Sequence, residues 1–122
     1  MRYVTRAAEL KQPDLILLPG SKNTMDDLKW MRQNGLEAAI KQYAAAGKPV
    51  FGICGGYQMM GLTLSDPAHV EAGGAMDGMG LLPVHTTFCA DKTTTQVHGA
   101  IGHLTGMFAA LTGVHIDGYE IH

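Results

Sequence analysis

Two continuous apolar runs, each closed by a glycine turn, constrain the fold of this chain more than any other feature. The first run covers residues 14–18 and is followed by Gly20, and the second covers residues 49–53 and is followed by Cys54 and Gly55. Apolar runs of this length without alternation are typical of strands buried on both faces of a parallel sheet. Two helical segments lie between them, so the chain is predicted to form a βαβ unit.

Helix and turn signals surround these strands. Asn23 or Thr24 is predicted to cap a first helix, which is followed by helices over residues 36–46 and from Gly55 to about Leu62. Glycines crowd the next segment, and three short strands are predicted later in the chain, at residues 81–88, 94–103 and 114–122. The predicted fold class is therefore α/β, with a parallel-sheet core and a β-rich C-terminal half.

Composition limits the partners and the compartment that we expect. The net charge is -2 and there is no basic run, which argues against nucleic acid or an anionic membrane surface as a partner. No apolar stretch approaches the roughly 18 residues that a membrane-spanning helix needs, so no membrane segment is predicted. Cys54 and Cys89 lie in unlike settings and form no C-x-x-C pair, so a disulfide is poorly supported and a cytoplasmic location is expected.

The length of 122 residues fits one domain. Two firm parallel strands are few for an α/β sheet, and the last residue, His122, falls within a strand pattern. We therefore expect residues 1–122 to be one partial domain that lacks both of its edges.

A cysteine stands at the turn after the second strand, in the pattern Gly52-x-Cys54-x-Gly56. This pattern is typical of a nucleophile elbow, in which a sharp strand-to-helix turn lifts the nucleophile off the sheet and small neighbours leave room for a strained backbone. N–H groups at the start of the following helix stabilise a thiolate, and the N–H of Gly55 can donate to an oxyanion. The pattern alone also fits a small buried cysteine beside packing glycines. Cys89 has no comparable setting and is predicted to be structural.

The loop after the first strand, residues 18–24, is the predicted neighbour of Cys54. The carboxyl ends of adjacent parallel strands share one crevice, so Gly20 can supply a second oxyanion N–H. The Gly-Ser-Lys triplet in this loop suggests a phosphate-binding loop, but the required first glycine is replaced by Leu15 and no glycine precedes the lysine. Taken alone, the loop also fits a plain turn with a helix cap.

A cysteine nucleophile needs a base, and the chain has six histidines. His122 is favoured because it ends a predicted strand that can hold it rigidly, and Glu120 lies on the same face of that strand. A zinc site built from His98 and His103 with Cys89 or His85 matches no common spacing, so no metal is predicted.

Three separated motifs resemble those of one known family. The motifs cover residues 14–24, 52–58 and 118–122, and they are similar, in the same order, to motifs of the glutamine amidotransferase domain of cobyric acid synthases. The resemblance extends over essentially the whole chain. It implies a truncated class I glutamine amidotransferase domain with a Rossmann/flavodoxin-like parallel-sheet core.

The resemblance implies a role for each matching residue. Cys54 attacks the side-chain amide of glutamine, and His122 activates the thiol and protonates the departing ammonia. Gly20 and Gly55 are the oxyanion donors, and Gln58 helps to hold the glutamine. The glutamyl thioester is then hydrolysed to glutamate, and the ammonia passes to a partner active site.

The resemblance also implies partners outside these residues. In cobyric acid synthases the ammonia is used by an amidoligase domain that depends on ATP and Mg²⁺ and amidates the corrinoid adenosylcobyrinic acid a,c-diamide in cobalamin biosynthesis. No nucleotide-binding motif is present in this sequence, so no cofactor is predicted for residues 1–122. Many class I amidotransferases place a glutamate two residues after the catalytic histidine, and that position does not exist here. We therefore hypothesise that Glu120 orients His122, and we expect the chain alone to be a weak glutaminase.

Three other interpretations stay open at this point. The chain could belong to a similar amidotransferase that acts on cobyrinate or on a cell-wall precursor. It could be a different cysteine hydrolase of similar α/β fold. It could also be a catalytically silent domain that binds glutamine or another protein.

Overall fold

The computed structural model describes residues 1–91 and 94–121, with the side chains of Glu120 and Ile121 excepted. These residues form a first compact unit, Met1–Ala90, and a second unit that begins at Asp91.

The first unit contains four helices and five strands among its described residues. In chain order they are α1 (Ala7–Leu10), β1 (Ile16–Leu18), α2 (Thr24–Gln33), α3 (Leu36–Ala45), β2 (Val50–Gly52), α4 (Gly55–Met59), β3 (Thr63–Asp66), β4 (Gly74–Asp77) and β5 (His85–Thr87). Strands β1 and β2 pair in parallel, with Ile16 opposite Val50 and Leu18 opposite Gly52. The predicted α/β class with parallel pairing is therefore confirmed.

Local signals explain where helices α2 and α3 begin and end. Asn23 is the N-cap of α2, and its side chain accepts the N–H of Asp26 at 3.1 Å. Carboxylates in that first turn complement the helix dipole. Asn34 ends α2, and Gly35, with a φ of 81°, allows the tight turn into α3 because glycine adopts this left-handed conformation without a side-chain clash. The predicted break between the two helices is confirmed.

A single apolar cluster forms the core of the first unit. It takes buried side chains from β1, from helices α2 to α4, from β3 and from residues just after α4 and β4: Ile16, Leu18, Met25, Leu28, Ile40, Tyr43, Met59, Met60, Leu64 and Met79. Strand β1 contributes only alternate residues, since Leu17 is 46% exposed. Phe51 of β2 is likewise 48% exposed. The prediction that both strands are buried on both faces is therefore wrong for the described residues, because the apolar cluster takes Ile16 and Leu18 but neither Leu17 nor Phe51.

The sequence patterns did not predict strands β3 and β4. Strand β3 lies between β4, which pairs antiparallel to it, and β5, which pairs parallel to it. Helix α4 ends at Met59, earlier than the predicted Leu62, because the chain turns there to pair with a distant segment: the N–H of Leu62 donates to the carbonyl of Val84 at 2.7 Å. A side chain at Gly61 would lie 2.7 Å from the same carbonyl oxygen. Contacts between residues far apart in sequence therefore override the local helical pattern.

The second unit is a two-stranded antiparallel ribbon. Strand β6 (Thr94–Ala100) pairs with β7 (His115–Ile121), and a short 3₁₀ helix, Gly106–Leu111, lies in the connection. Both strands of the ribbon were predicted, and the third strand predicted for the C-terminal half, at residues 81–88, is present in part as β5 of the first unit. In neither unit do the described residues include a helix long and apolar enough to cross a membrane.

Candidate active site

Cys54 lies at a sharp turn between strand β2 and helix α4. Its φ is 52° and its ψ is -116°. Residues other than glycine rarely adopt this backbone conformation, which costs them about 1–3 kcal/mol. Two hydrogen bonds close the turn around it, from the N–H of Gly56 to the carbonyl of Ile53 at 2.9 Å and from the N–H of Gln58 to the carbonyl of Cys54 at 3.0 Å. The thiol is exposed. The turn therefore has the strained backbone and the accessible side chain of a nucleophile elbow.

The glycines on either side of the cysteine are required by packing. A Cβ atom on Gly56 would lie 2.3 Å from the carbonyl oxygen of Leu18, and one on Gly52 would lie 2.6 Å from the Cα of Tyr57. Backbone atoms cannot move aside as the end of a side chain can. The pattern therefore permits the close approach of helix to strand and also allows the turn that presents Cys54.

The structure brings Gly20 next to Cys54, as predicted. A Cβ atom on Gly20 would lie 3.6 Å from the Cβ of Cys54. The N–H of Ile53 donates to the carbonyl of Leu18 at 3.0 Å, which ties the two strand ends together. Gly55 is the first residue of helix α4, so its N–H has no acceptor within the helix. Gly20, in the loop between β1 and α2, and Gly55, at the start of α4, thus both lie next to Cys54.

Gln58 lies one helical turn after Cys54 and is partly buried. Its Oε1 accepts a hydrogen bond from the Thr24 hydroxyl at 3.5 Å. Thr24 is only 1% exposed and begins helix α2. The oxygen of the Gln58 amide therefore faces α2, and the side chain is held between the two helices.

The loop between β1 and α2 is held by its own polar side chains. The Ser21 hydroxyl donates to the Asp27 carboxylate and accepts the N–H of Asn23 at 3.0 Å. Together with the Asn23 cap, these bonds fix the path of the chain from Gly20 to the start of α2.

A carboxylate that the sequence patterns did not reveal reaches the same helix end. Glu71 lies in the loop between β3 and β4, and its Oε2 accepts the N–H of Met25 at 3.1 Å. The two residues are 46 positions apart, so no local motif marks the contact. The signals in that region are Asp66-Pro67 and Gly73-Gly74, which are typical of turns and do not mark Glu71.

Asp66 organises the loop that carries Glu71. It is fully buried, and its carboxylate accepts the N–H groups of Val70, Glu71 and Gly73 at 2.8, 2.7 and 2.9 Å. Burial raises the pKa of this carboxyl, but the three N–H donors outweigh burial and lower the pKa of Asp66 below its usual value. The carboxylate is therefore ionised at neutral pH and holds the loop in one conformation.

Two predicted site residues are not placed by the structure. His122 lies outside the described residues, and only the backbone of Glu120 is described, in strand β7. Of the other histidines, His85 is hydrogen-bonded to Thr63 at 2.7 Å and His98 to Asp117 at 2.5 Å. No group of three potential metal ligands occurs among residues 1–91 and 94–121.

Comparison with known proteins identifies close relatives over the whole chain. A family described as the CobB/CobQ-like glutamine amidotransferase domain matches residues 1–122. The cobyric acid synthase of Ruminiclostridium cellulolyticum is 58% identical over 122 residues, that of Lachnoclostridium phytofermentans is 48% identical over 122, and that of Moorella thermoacetica is 50% identical over 123. Each alignment covers 100% of this chain and 24% of the relative, so the chain spans about a quarter of the length of these curated relatives.

Proposed function

Because this chain belongs to the family of CobB/CobQ-like glutamine amidotransferase domains, we propose that it hydrolyses glutamine at Cys54 and supplies the ammonia to an amidation reaction. The observation that carries the proposal is the strained turn at Cys54, which presents an exposed thiol beside Gly20. A cysteine with only a packing role gains nothing from a backbone conformation that costs about 1–3 kcal/mol.

The proposed reaction proceeds in two steps. The Sγ of Cys54 attacks the side-chain amide carbon of glutamine, and the negative charge that develops on oxygen is stabilised by the N–H groups of Gly20 and Gly55. The C–N bond then breaks, the leaving NH2 group takes up a proton to form ammonia, and a glutamyl thioester remains. Water attacks this thioester, the C–S bond breaks, and glutamate and the free thiol are released.

Three further residues complete the proposal. Gln58 binds the substrate glutamine from the α4 side, with its amide oriented by Thr24. His122 is the base that takes the thiol proton and later gives it to the departing ammonia, and Glu120 orients it. The last two roles rest on the resemblance of residues 118–122 to the family motif.

The fate of the ammonia is proposed from the relatives. Those proteins are cobyric acid synthases, and we propose that the complete gene product containing residues 1–122 likewise amidates adenosylcobyrinic acid a,c-diamide in an ATP- and Mg²⁺-dependent amidoligase domain. In this proposal residues 1–122 are part of a class I amidotransferase domain with a Rossmann/flavodoxin-like core, to which the parallel β1–β2 pair belongs.

Glutamine labelled with ¹⁵N in its side-chain amide tests the proposed function. When the complete gene product is supplied with this glutamine, ATP, Mg²⁺ and the corrinoid acid, we expect stoichiometric glutamate and an amidated corrinoid that carries ¹⁵N. Unlabelled glutamine with ¹⁵N-ammonium chloride is the control for ammonia taken up from solution. Failure to form glutamate would contradict the glutaminase, whereas glutamate without an amidated corrinoid would contradict only the corrinoid substrate.

A further inference from the structure

The first turn of helix α2 is held by a carboxylate from a distant loop. The four N–H groups at the start of a helix have no partner within it. In α2, the N–H of Asp26 is satisfied by the cap residue Asn23, and the N–H of Met25 is satisfied by Glu71 at 3.1 Å. The helix end is thus fixed both from its own loop and from the segment between β3 and β4.

The loop that carries Glu71 is held by hydrogen bonds to Asp66. Asp66 accepts three backbone N–H groups from residues 70–73, including that of Glu71 itself, and is fully buried. Glu71 is partly buried. The position of its carboxylate is therefore determined by the loop as well as by its own side-chain rotamer.

The helix end that Glu71 holds is connected to the groups proposed to do the chemistry. Thr24, the residue before Met25, is hydrogen-bonded to Gln58 and would lie 3.0 Å from a Cβ atom on Gly55. The loop leading into this helix contains Gly20, next to the thiol of Cys54. A shift of the first turn of α2 therefore moves the second oxyanion donor and the residue that orients Gln58.

We propose that Glu71 is a positioning residue for glutamine hydrolysis, which holds residues 20–25 in the geometry that the oxyanion requires. This inference rests on the proposed function. Oxyanion stabilisation depends on donors placed within a few tenths of an ångström, and a displacement of 1 Å costs about a hundredfold in rate. Glu71 does not touch the reacting atoms. Its effect is exerted through the backbone of α2.

Three substitutions of Glu71 separate the reach of the side chain from its charge. E71A removes the acceptor, and E71D shortens the side chain by one methylene group. E71Q keeps the length of the side chain and one acceptor oxygen but removes the charge. We expect kcat/KM for glutamine hydrolysis by the complete gene product to fall at least about tenfold in E71A. We expect a smaller loss in E71D and a value within about threefold of the parent in E71Q.

A second measurement tests whether the loss of activity is separate from the reactivity of the thiol. Alkylation of Cys54 by iodoacetamide needs the thiolate but no oxyanion donor, so its rate should stay within about twofold of the parent in all three variants. The matched control is N34A, which removes a comparable bond, from the N–H of Leu36 to Oδ1 of Asn34 at 3.1 Å, at the opposite end of α2. We expect N34A to leave kcat/KM within about twofold of the parent.

The possible outcomes distinguish this inference from the proposed function. If the parent protein forms no glutamate, both fail together. If the parent is active and E71A retains its kcat/KM, or N34A lowers it as much as E71A does, the positioning role is wrong and the glutaminase stands. If E71A does not fold, the comparison of the other two variants decides. A higher kcat/KM in E71Q than in E71D supports the positioning role, and equal values in the two variants overturn it.

Discussion

Replacing Cys54 by glycine is expected to abolish glutamine hydrolysis while making the turn around it more stable. Removal of a nucleophile costs on the order of a thousandfold or more in kcat, because little of the remaining site can replace covalent catalysis. The gain in stability follows from the backbone. The φ of 52° and ψ of -116° at position 54 are accessible to glycine without strain.

The expected change in stability is a difference between two effects. Relief of the strained conformation contributes about 1–3 kcal/mol, and the greater freedom of glycine in the unfolded chain offsets about 0.5–1 kcal/mol of this. A net gain of roughly 1 kcal/mol in the local free energy of unfolding should appear as slower amide hydrogen exchange in residues 50–60 of the complete gene product.

The matched control for this prediction is C54A. Alanine keeps the Cβ atom and therefore the strain, so C54A should lose activity as C54G does without the gain in stability. If C54G exchanges faster than C54A in residues 50–60, the strain at this turn does not exist and the elbow interpretation loses its main support.

Alanine at Gly56 is expected to destabilise the first unit by about 3 kcal/mol or more. Intrinsic propensity predicts the opposite sign, because alanine stabilises a helix by roughly 1 kcal/mol relative to glycine. The contact geometry dominates: the new Cβ atom would lie 2.3 Å from the carbonyl oxygen of Leu18, which also accepts the N–H of Ile53. Helix α4 must move away from strand β1, and the bond that joins the two strand ends is strained.

The control for G56A is G102A, at a glycine with no atom within 4 Å of a new Cβ and no positive φ. We expect G102A to change stability by less than about 0.5 kcal/mol. Soluble yield and hydrogen exchange of residues 14–60 measure both variants. A G56A protein that expresses and exchanges like the parent would show that α4 and β1 are not packed as closely as described.

The features that the sequence predicted correctly are those encoded by neighbouring residues. The break between α2 and α3 follows from Asn34 and Gly35, and the cap of α2 is a local contact of Asn23. The meeting of Gly20 with Cys54 also follows from a short-range rule, because both terminate strands that were predicted to be parallel neighbours.

The features that escaped prediction depend on contacts between distant residues. Glu71 reaches Met25 across 46 positions, and its carboxylate has no local pattern that distinguishes it from an exposed loop residue. Strand β3 exists because it pairs with β4 and β5, with Leu64 opposite Met76 on one side and Thr86 on the other, and no periodicity in these segments reveals that pairing. The exposure of Leu17 could not be predicted either, because an apolar run does not show whether one face or both faces of the strand are covered by other elements.

The central claim is that Cys54 is the nucleophile for glutamine, and labelling with 6-diazo-5-oxonorleucine tests it most directly. This electrophilic glutamine analogue is added to the complete gene product, and adducts are located by peptide mass spectrometry. Cys89 is an internal control, since both thiols are free and exposed and both should react with iodoacetamide. We predict one adduct, at Cys54, whose formation is prevented by excess glutamine. An analogue that leaves Cys54 unmodified, or that modifies Cys54 and Cys89 equally without protection by glutamine, would contradict the assignment.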